Sequence, residues 1–129
     1  MTASLFSPSW HRVAGMKPSL RSHVKVLRRQ FRSRTWYLLQ DPVTGKFHRF
    51  SSRAYDVIGR MDGEKTLGEI WEALCKTVED DLPTQDEIIA LISKLYQADV
   101  LQTDRIPDAT DFFQRYTRVR RRKILSFLA

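Results

Sequence analysis

The sequence has few of the residues on which catalytic, metal-binding and disulfide-stabilised proteins depend. Its single cysteine, Cys75, cannot form a disulfide within the chain. The histidines His11, His23 and His48 do not fall at metal-ligand spacing, and there is no HExxH or CxxC motif. Five glycines leave little room for a phosphate-binding loop, and no GxSxG elbow presents a serine. These absences predict a protein that is not an enzyme and needs no metal or cofactor.

Long apolar runs are also missing. No stretch approaches the roughly 18 residues that cross a bilayer, and the N-terminus lacks the continuous apolar segment of a signal peptide. The chain of 129 residues is 42% hydrophobic, which is enough for one domain with its own core. We therefore expect a cytoplasmic protein, or the cytoplasmic part of something larger.

Acidic residues are scarce at both ends of the chain. Residues 1–60 contain 12 Lys/Arg against 2 Asp/Glu, and residues 105–129 contain 7 against 2. The segment between them contains 3 against 11. The simplest interpretation is that these parts attract one another and solvate the surface. The alternative is a basic surface for nucleic acid or anionic lipid.

Turn and cap signals divide the centre of the chain into short elements. Strands are predicted at 23–31, 35–40 and 46–50, and Asp41–Gly45 has the composition of a hairpin loop. Apolar residues on both sides of the strand at 35–40 suggest that both faces of the sheet are at least partly covered. A helix over about 53–61 should begin at Ser51 or Ser52 and end at Gly63.

Two capping boxes predict two further helices. Thr66–Glu69 opens a helix in which Cys75 is expected to be a small core residue, and Thr84–Glu87 opens a third. A short extended segment follows at 100–103. The predicted domains are a loose arm at 1–22, a folded domain at 23–104 and a basic helix or linker at 105–129. The fold class is α+β, of winged-helix type, with a small three-stranded antiparallel sheet and three helices.

Three surfaces are candidates for binding. The strand at 46–50 is a candidate sheet edge to which a peptide could add, although Lys46 and Arg49 could also protect it. The third helix could enter a DNA groove. Two acids against one lysine on its surface are a poor match for phosphates, since its expected exposed residues are Gln85, Asp86, Glu87, Ser93, Lys94 and Gln97. The basic, aromatic tail suits a membrane or an anionic partner through Arg118, Arg120, Arg121, Arg122 and Lys123.

The central stretch resembles the PqqD-like family, the winged-helix domains that recognise leader peptides of ribosomally made, modified peptides. The resemblance covers roughly residues 24–102 and is most specific in the DG-x-x-T-x-x-E-I segment at 62–70. It also includes the WYLL stretch at 36–39 and Val100-Leu101. More closely, the chain is similar to the N-terminal cytoplasmic segment of bacterial membrane proteins that carry an intramembrane zinc-metallopeptidase-like domain.

The resemblance implies that a peptide adds as a strand to the hairpin edge and lies against the third helix. Carried onto this sequence, the peptide-binding residues are Lys46, Phe47, His48, Arg49, Phe50, Ile88, Ile92, Leu95 and Tyr96. The resemblance also implies that the chain is an accessory domain at the inner face of a membrane. Its basic and then apolar ending, RRRKILSFLA, fits a segment that approaches one.

The sequence thus predicts a non-catalytic domain that binds a peptide or protein segment, with an acidic or mixed-charge ligand expected. The alternative is a winged-helix nucleic-acid-binding protein that uses its basic ends. A third hypothesis is a regulatory domain that binds only the rest of a longer metallopeptidase-like chain. The strand edge could equally pair with a second copy and form a homodimer.

Overall fold

The computed structural model of the chain describes residues 6–77 and 82–104. Its strands are β1 (Ser19–Leu20), β2 (Lys25–Phe31), β3 (Arg34–Asp41), β4 (Lys46–Ser51) and β5 (Leu101–Gln102). Its helices are α1 (Ser52–Ile58), α2 (Leu67–Thr77) and α3 (Gln85–Gln97), and a short 3-10 turn precedes them at Trp10–Arg12. The α+β class predicted from the sequence is confirmed. The predicted basic helix at 105–129 lies outside the described residues.

The three longer strands form an antiparallel sheet in the order β2-β3-β4. Arg32 and Ser33 join β2 to β3 with φ of 53° and 64°, as a tight two-residue hairpin requires. The loop between β3 and β4 contains Gly45 at φ 76°, and the Asp41 carboxylate accepts a hydrogen bond from the Val43 N–H at 2.9 Å. The predicted hairpin is therefore present. The segment predicted at 100–103 pairs as β5 with β1 in a separate two-stranded sheet.

Side-chain caps begin the helices where the sequence predicts them. The Ser51 hydroxyl accepts from the Ala54 N–H at the start of α1. Thr66 and Glu69 exchange hydrogen bonds of 3.1 and 3.0 Å before α2. Thr84 and Glu87 do the same at 3.0 and 2.9 Å before α3. Both predicted capping boxes are confirmed.

Helix α1 is shorter than predicted. It ends at Ile58 rather than near Met61, because the next residues close tighter turns, with Arg60 N–H donating to Val57 and Met61 N–H to Ile58. Gly63 then adopts φ 81° and lets the chain leave the turn. Its N–H donates to the Pro18 carbonyl, so the residue also ties this turn to the N-terminal segment.

Helix α3 is the centre of the core. Leu39 and Phe50, from one face of the sheet, belong to the same buried cluster as residues from all three helices. The α3 residues with no solvent exposure are Ile88, Ile89, Leu91, Ile92, Ser93 and Leu95. The other face of the sheet bears Phe47 and Arg49, which are exposed, and Trp36 and Leu38, which are partly buried, so this face is covered only in part.

The N-terminal segment differs from the predicted loose arm. Val13 and Met16 are buried in the core at 0% and 1% exposure. The carbonyls of Ala14 and Met16 accept hydrogen bonds from Gly68 and Leu67 at the start of α2. Residues 6–22 therefore belong to the folded domain, because the start of α2 and the turn before it supply partners for their main-chain groups.

Within residues 6–77 and 82–104, no helix combines the length and apolar character needed to cross a membrane.

Candidate functional site

Strand β4 lies at an edge of the three-stranded sheet. It pairs with β3 from Lys46 opposite Asp41 to Ser51 opposite Trp36. On its other side no strand is paired with it among the described residues. In an antiparallel edge strand, alternate residues direct their N–H and C=O groups away from the neighbour, where a further strand can bind them. This arrangement agrees with the edge predicted at residues 46–50.

The side chains of β4 alternate between the two faces of the sheet. Phe50 is fully buried and His48 is half-buried on the face that packs against the helices. Phe47, which is 54% exposed, and Arg49 point to the opposite, outer face. The predicted site residues of this strand therefore divide into two groups, and only one group faces α3.

Helix α3 contributes a cation beside β4. The Lys94 ammonium lies 5.0 Å from the centre of the Phe50 ring. Half-burial lowers the pKa of Lys94, and the charge of Arg49 lowers it further. Burial likewise lowers the pKa of His48, and the charges of Lys94 and Lys46 add to that effect. Positive groups therefore lie near one another at this end of β4, and an anion would reduce the repulsion that they exert on His48 and Lys94.

A single acidic group moderates this charge at the hairpin end. Asp41 is buried, and its carboxylate lies 3.3 Å from Nε2 of His23. Burial opposes ionisation of Asp41, but hydrogen bonds from the Val43 and Thr44 N–H groups, together with His23, outweigh it and lower the pKa. Asp41 is thus ionised and engaged in the loop, while the α3 side of β4 stays basic.

Four of the predicted peptide-binding residues are core residues. They have no solvent exposure, so a ligand at the surface of this structure cannot touch them: Phe50, Ile88, Ile92 and Leu95. These four residues lie in the core beneath the surface of the candidate site. Tyr96 is half-buried at the edge of the same core. Lys94 was not among the predicted site residues. The sequence could have indicated Lys94, because it lies between Leu91 and Leu95 of the apolar stripe. A lysine beside such a stripe packs its aliphatic part on the apolar surface and holds its ammonium group at the edge of that surface.

Helix α3 does not present the surface expected of a DNA-reading helix. Gln85 and Ser93, both expected to be exposed, are buried. The Ser7 N–H donates to the Gln85 side chain at 2.8 Å, which explains the burial of that amide. The helix is enclosed on most sides and has little free surface for a groove.

The described residues contain no group of three or more His, Cys, Asp and Glu side chains arranged to hold a metal ion. Cys75 is exposed, not a core residue as expected. Slight desolvation of the thiol and the charge of nearby Glu72 raise the pKa of Cys75, the opposite of what activates a nucleophilic cysteine. The predicted anionic-partner residues Arg118, Arg120, Arg121, Arg122 and Lys123 lie outside the described residues.

Comparison with known proteins gives no relative: no family model, curated protein or solved structure matches this chain. The fold and the site together describe an α+β domain with an open, basic strand edge.

Proposed function

We propose that this domain is a non-catalytic peptide-binding module that captures an extended acidic segment by adding it as a strand to β4. The observation that carries the proposal is the position of β4, which forms the sheet edge next to the Lys94 side of α3. Main-chain hydrogen bonds would supply affinity without regard to sequence, and side chains beside the strand would supply selectivity.

The charge of the site selects the ligand class. Lys46 and Lys94 are close enough to His48 to lower its pKa, and Arg49 lowers the pKa of Lys94 from the outer face. An added strand places every second side chain on the α3 side. Acidic side chains at those positions would neutralise the convergent cations, whereas basic ones would increase their repulsion.

The resemblance to PqqD-like recognition domains supports the same proposal, because those winged-helix domains bind leader peptides at the corresponding strand and helix. On this basis we assign the protein to the cytoplasm, at the inner face of a membrane and as an accessory domain of a metallopeptidase-like protein. A regulatory role toward the rest of such a chain would use the same strand edge.

Isothermal titration calorimetry with a synthetic peptide tests the proposal. An alternating Glu-Thr peptide of about ten residues is long enough to run past β4. We expect it to bind, and a Lys-Thr peptide of equal length not to bind. Lys94→Gln should weaken binding of the Glu-Thr peptide by about 2- to 5-fold, the range for a partly exposed charge pair. The matched control, Lys76→Gln, removes an equivalent charge from α2 and should have no effect.

The main-chain component has its own test. Two versions of the Glu-Thr peptide are N-methylated, one at odd and one at even positions, so that their charges stay the same. A strand added to β4 donates through only one of the two sets. We expect one version to bind normally and the other to lose binding. Equal affinity of the two versions would contradict strand addition, as would shifts in an NMR titration that are confined to the chain termini.

A further inference from the structure

A cavity opens at the end of the sheet where β2 turns into β3 and β4 passes into α1. Its volume is about 490 Å³, within the range of small-molecule sites. It lies at the opposite end of the sheet from the hairpin loop at Asp41–Gly45. The residues that line it are Arg28, Ser33, Arg34, Thr35, Trp36, Tyr37, Ser51, Ser52 and Arg53.

The lining is cationic and rich in hydroxyl groups. It contains three arginines and no acidic residue. Arg53 lies 3.7 Å from the Glu87 carboxylate, whereas Arg28 and Arg34 form no ion pair with any other residue that the structure describes. Guanidinium groups bind phosphate oxygens through two parallel hydrogen bonds. The chemistry of the cavity therefore suits a phosphate group.

Among the residues that line the cavity, Arg34, Trp36 and Ser51 belong to the outer face of the sheet, whereas Arg28 and Tyr37 belong to the face that packs against the helices. Arg34 and Arg49 lie over the Trp36 ring, at 5.6 and 4.5 Å from its centre. Paired residues of neighbouring strands share a face, so the strand register defines the whole outer face. Its members are Lys25, Leu27, Arg29, Phe31, Arg34, Trp36, Leu38, Gln40, Phe47, Arg49 and Ser51.

This outer face combines aromatic rings with positive charge along its length. It bears no acidic residue, and its rings occur near both ends, with Phe31 at 63% and Phe47 at 54% exposure. Trp36 lies between them beside the cavity. Exposed rings on a sheet, interleaved with arginines, are the arrangement on which successive unpaired bases stack while their phosphates meet cations.

We propose that the outer face, together with the part of the cavity lined by Arg34 and Trp36, binds a single-stranded nucleic acid, with a phosphate held by Arg34 and a base stacked on Trp36. A phosphopeptide would use the arginines but not the row of rings, and an anionic membrane would use the charges without stacking on Trp36. The proposal does not rest on strand capture, because it uses the opposite face of β4.

Fluorescence anisotropy with a labelled oligouridine of about ten nucleotides tests this proposal on the full chain. Arg34→Gln should weaken binding at low salt and reduce the slope of log K against log salt by about 0.7, the value for one lost phosphate contact on a single strand. Trp36→Leu should weaken binding by about 5- to 100-fold and leave the slope unchanged, because stacking releases no counterions. Lys76→Gln, on α2, should bind like the unchanged protein.

Three competitors identify the ligand source. Uridine monophosphate should displace the oligouridine only at far higher concentration, and a phosphoserine peptide should not displace it. Phosphatidylserine vesicles should bind the protein no better without the oligouridine than with it. The proposal would be overturned if uridine monophosphate or the phosphoserine peptide displaced the oligouridine at a concentration similar to that of the oligouridine itself. It would also be overturned if the protein bound the vesicles but not the oligouridine. Undiminished binding by Arg34→Gln and Trp36→Leu would overturn it too, since the basic residues beyond 104 would then account for the binding. Thermal unfolding of each variant shows whether weaker binding reflects a lost contact or a loss of folding. Trp36→Phe keeps an aromatic ring and should therefore retain most of the binding.

Discussion

Replacement of Met16 by alanine tests whether the N-terminal segment belongs to the folded domain. Met16 is 1% exposed within the core cluster, and its carbonyl accepts the Leu67 N–H at 2.9 Å. A loose arm would tolerate the change. A core residue would not, because the shortened side chain leaves a cavity that its neighbours fill only partly.

The magnitude follows from the burial. Met→Ala substitutions at fully buried sites cost about 2–5 kcal/mol of unfolding free energy, a large part of the roughly 5–15 kcal/mol that holds a domain together. At a loss of about 3 kcal/mol, the unfolding midpoint of a domain of this size should fall by about 10–20 °C. Urea titration followed by circular dichroism gives the free energy, and a thermal scan gives the midpoint.

The matched control is Val43→Ala, which also shortens an apolar side chain. Val43 is 79% exposed in the hairpin loop, so this variant should stay within about 0.5 kcal/mol of the unchanged protein. If Met16→Ala and Val43→Ala unfold at the same midpoint, the packing of residues 6–22 against α2 is refuted.

Two further predictions concern pH and helix capping. The pKa of His48 in the folded chain lies below its ordinary value of 6.5. At pH values between the folded and the unfolded pKa, the unfolded chain therefore binds more protons than the folded chain. The unfolding free energy should fall as the pH drops through this window. Urea titrations across pH should show a weaker pH dependence for His48→Gln, and a dependence equal to that of the unchanged protein would contradict the burial of His48 beside Lys94. Thr84→Ala removes the hydroxyl that accepts the Glu87 N–H and should cost about 0.5–2 kcal/mol in the same assay. An unchanged midpoint would show that the capping box does not stabilise α3.

Local signals in the sequence predict most of the central fold. The hairpin at Asp41–Gly45 and the boxes at Thr66 and Thr84 each depend on residues within four positions of one another, so a single sequence contains the whole interaction. The edge position of β4 also follows from order, because three strands joined by hairpins leave the last one outside.

Long-range contacts explain what the sequence does not reveal. Residues 6–22 lack hydrophobic periodicity and are held by main-chain bonds to Gly63, Leu67 and Gly68, about fifty residues away. The pairing of Ser19 with Gln102 joins strands of two residues each, too short for any periodic pattern. Neither interaction has a local signature.

The division of the candidate site between two faces is likewise a property of register. The sequence shows that Phe47 and Arg49 alternate with His48 and Phe50 along β4. The alternation alone does not tell which of the two pairs faces α3, because that depends on which residues of the strand are buried. The structure places Phe50 in the core. A basic strand thus contributes to two surfaces, one beside Lys94 and one around Trp36.

The most direct test of strand capture is an isotope-filtered NOESY spectrum of the labelled protein with the unlabelled Glu-Thr peptide. The account predicts cross-peaks between the peptide main chain and the main-chain protons of β4, in the alternating pattern of paired strands. Cross-peaks only to the Trp36 ring and its neighbours on the outer face, with none to the main chain of β4, would contradict it.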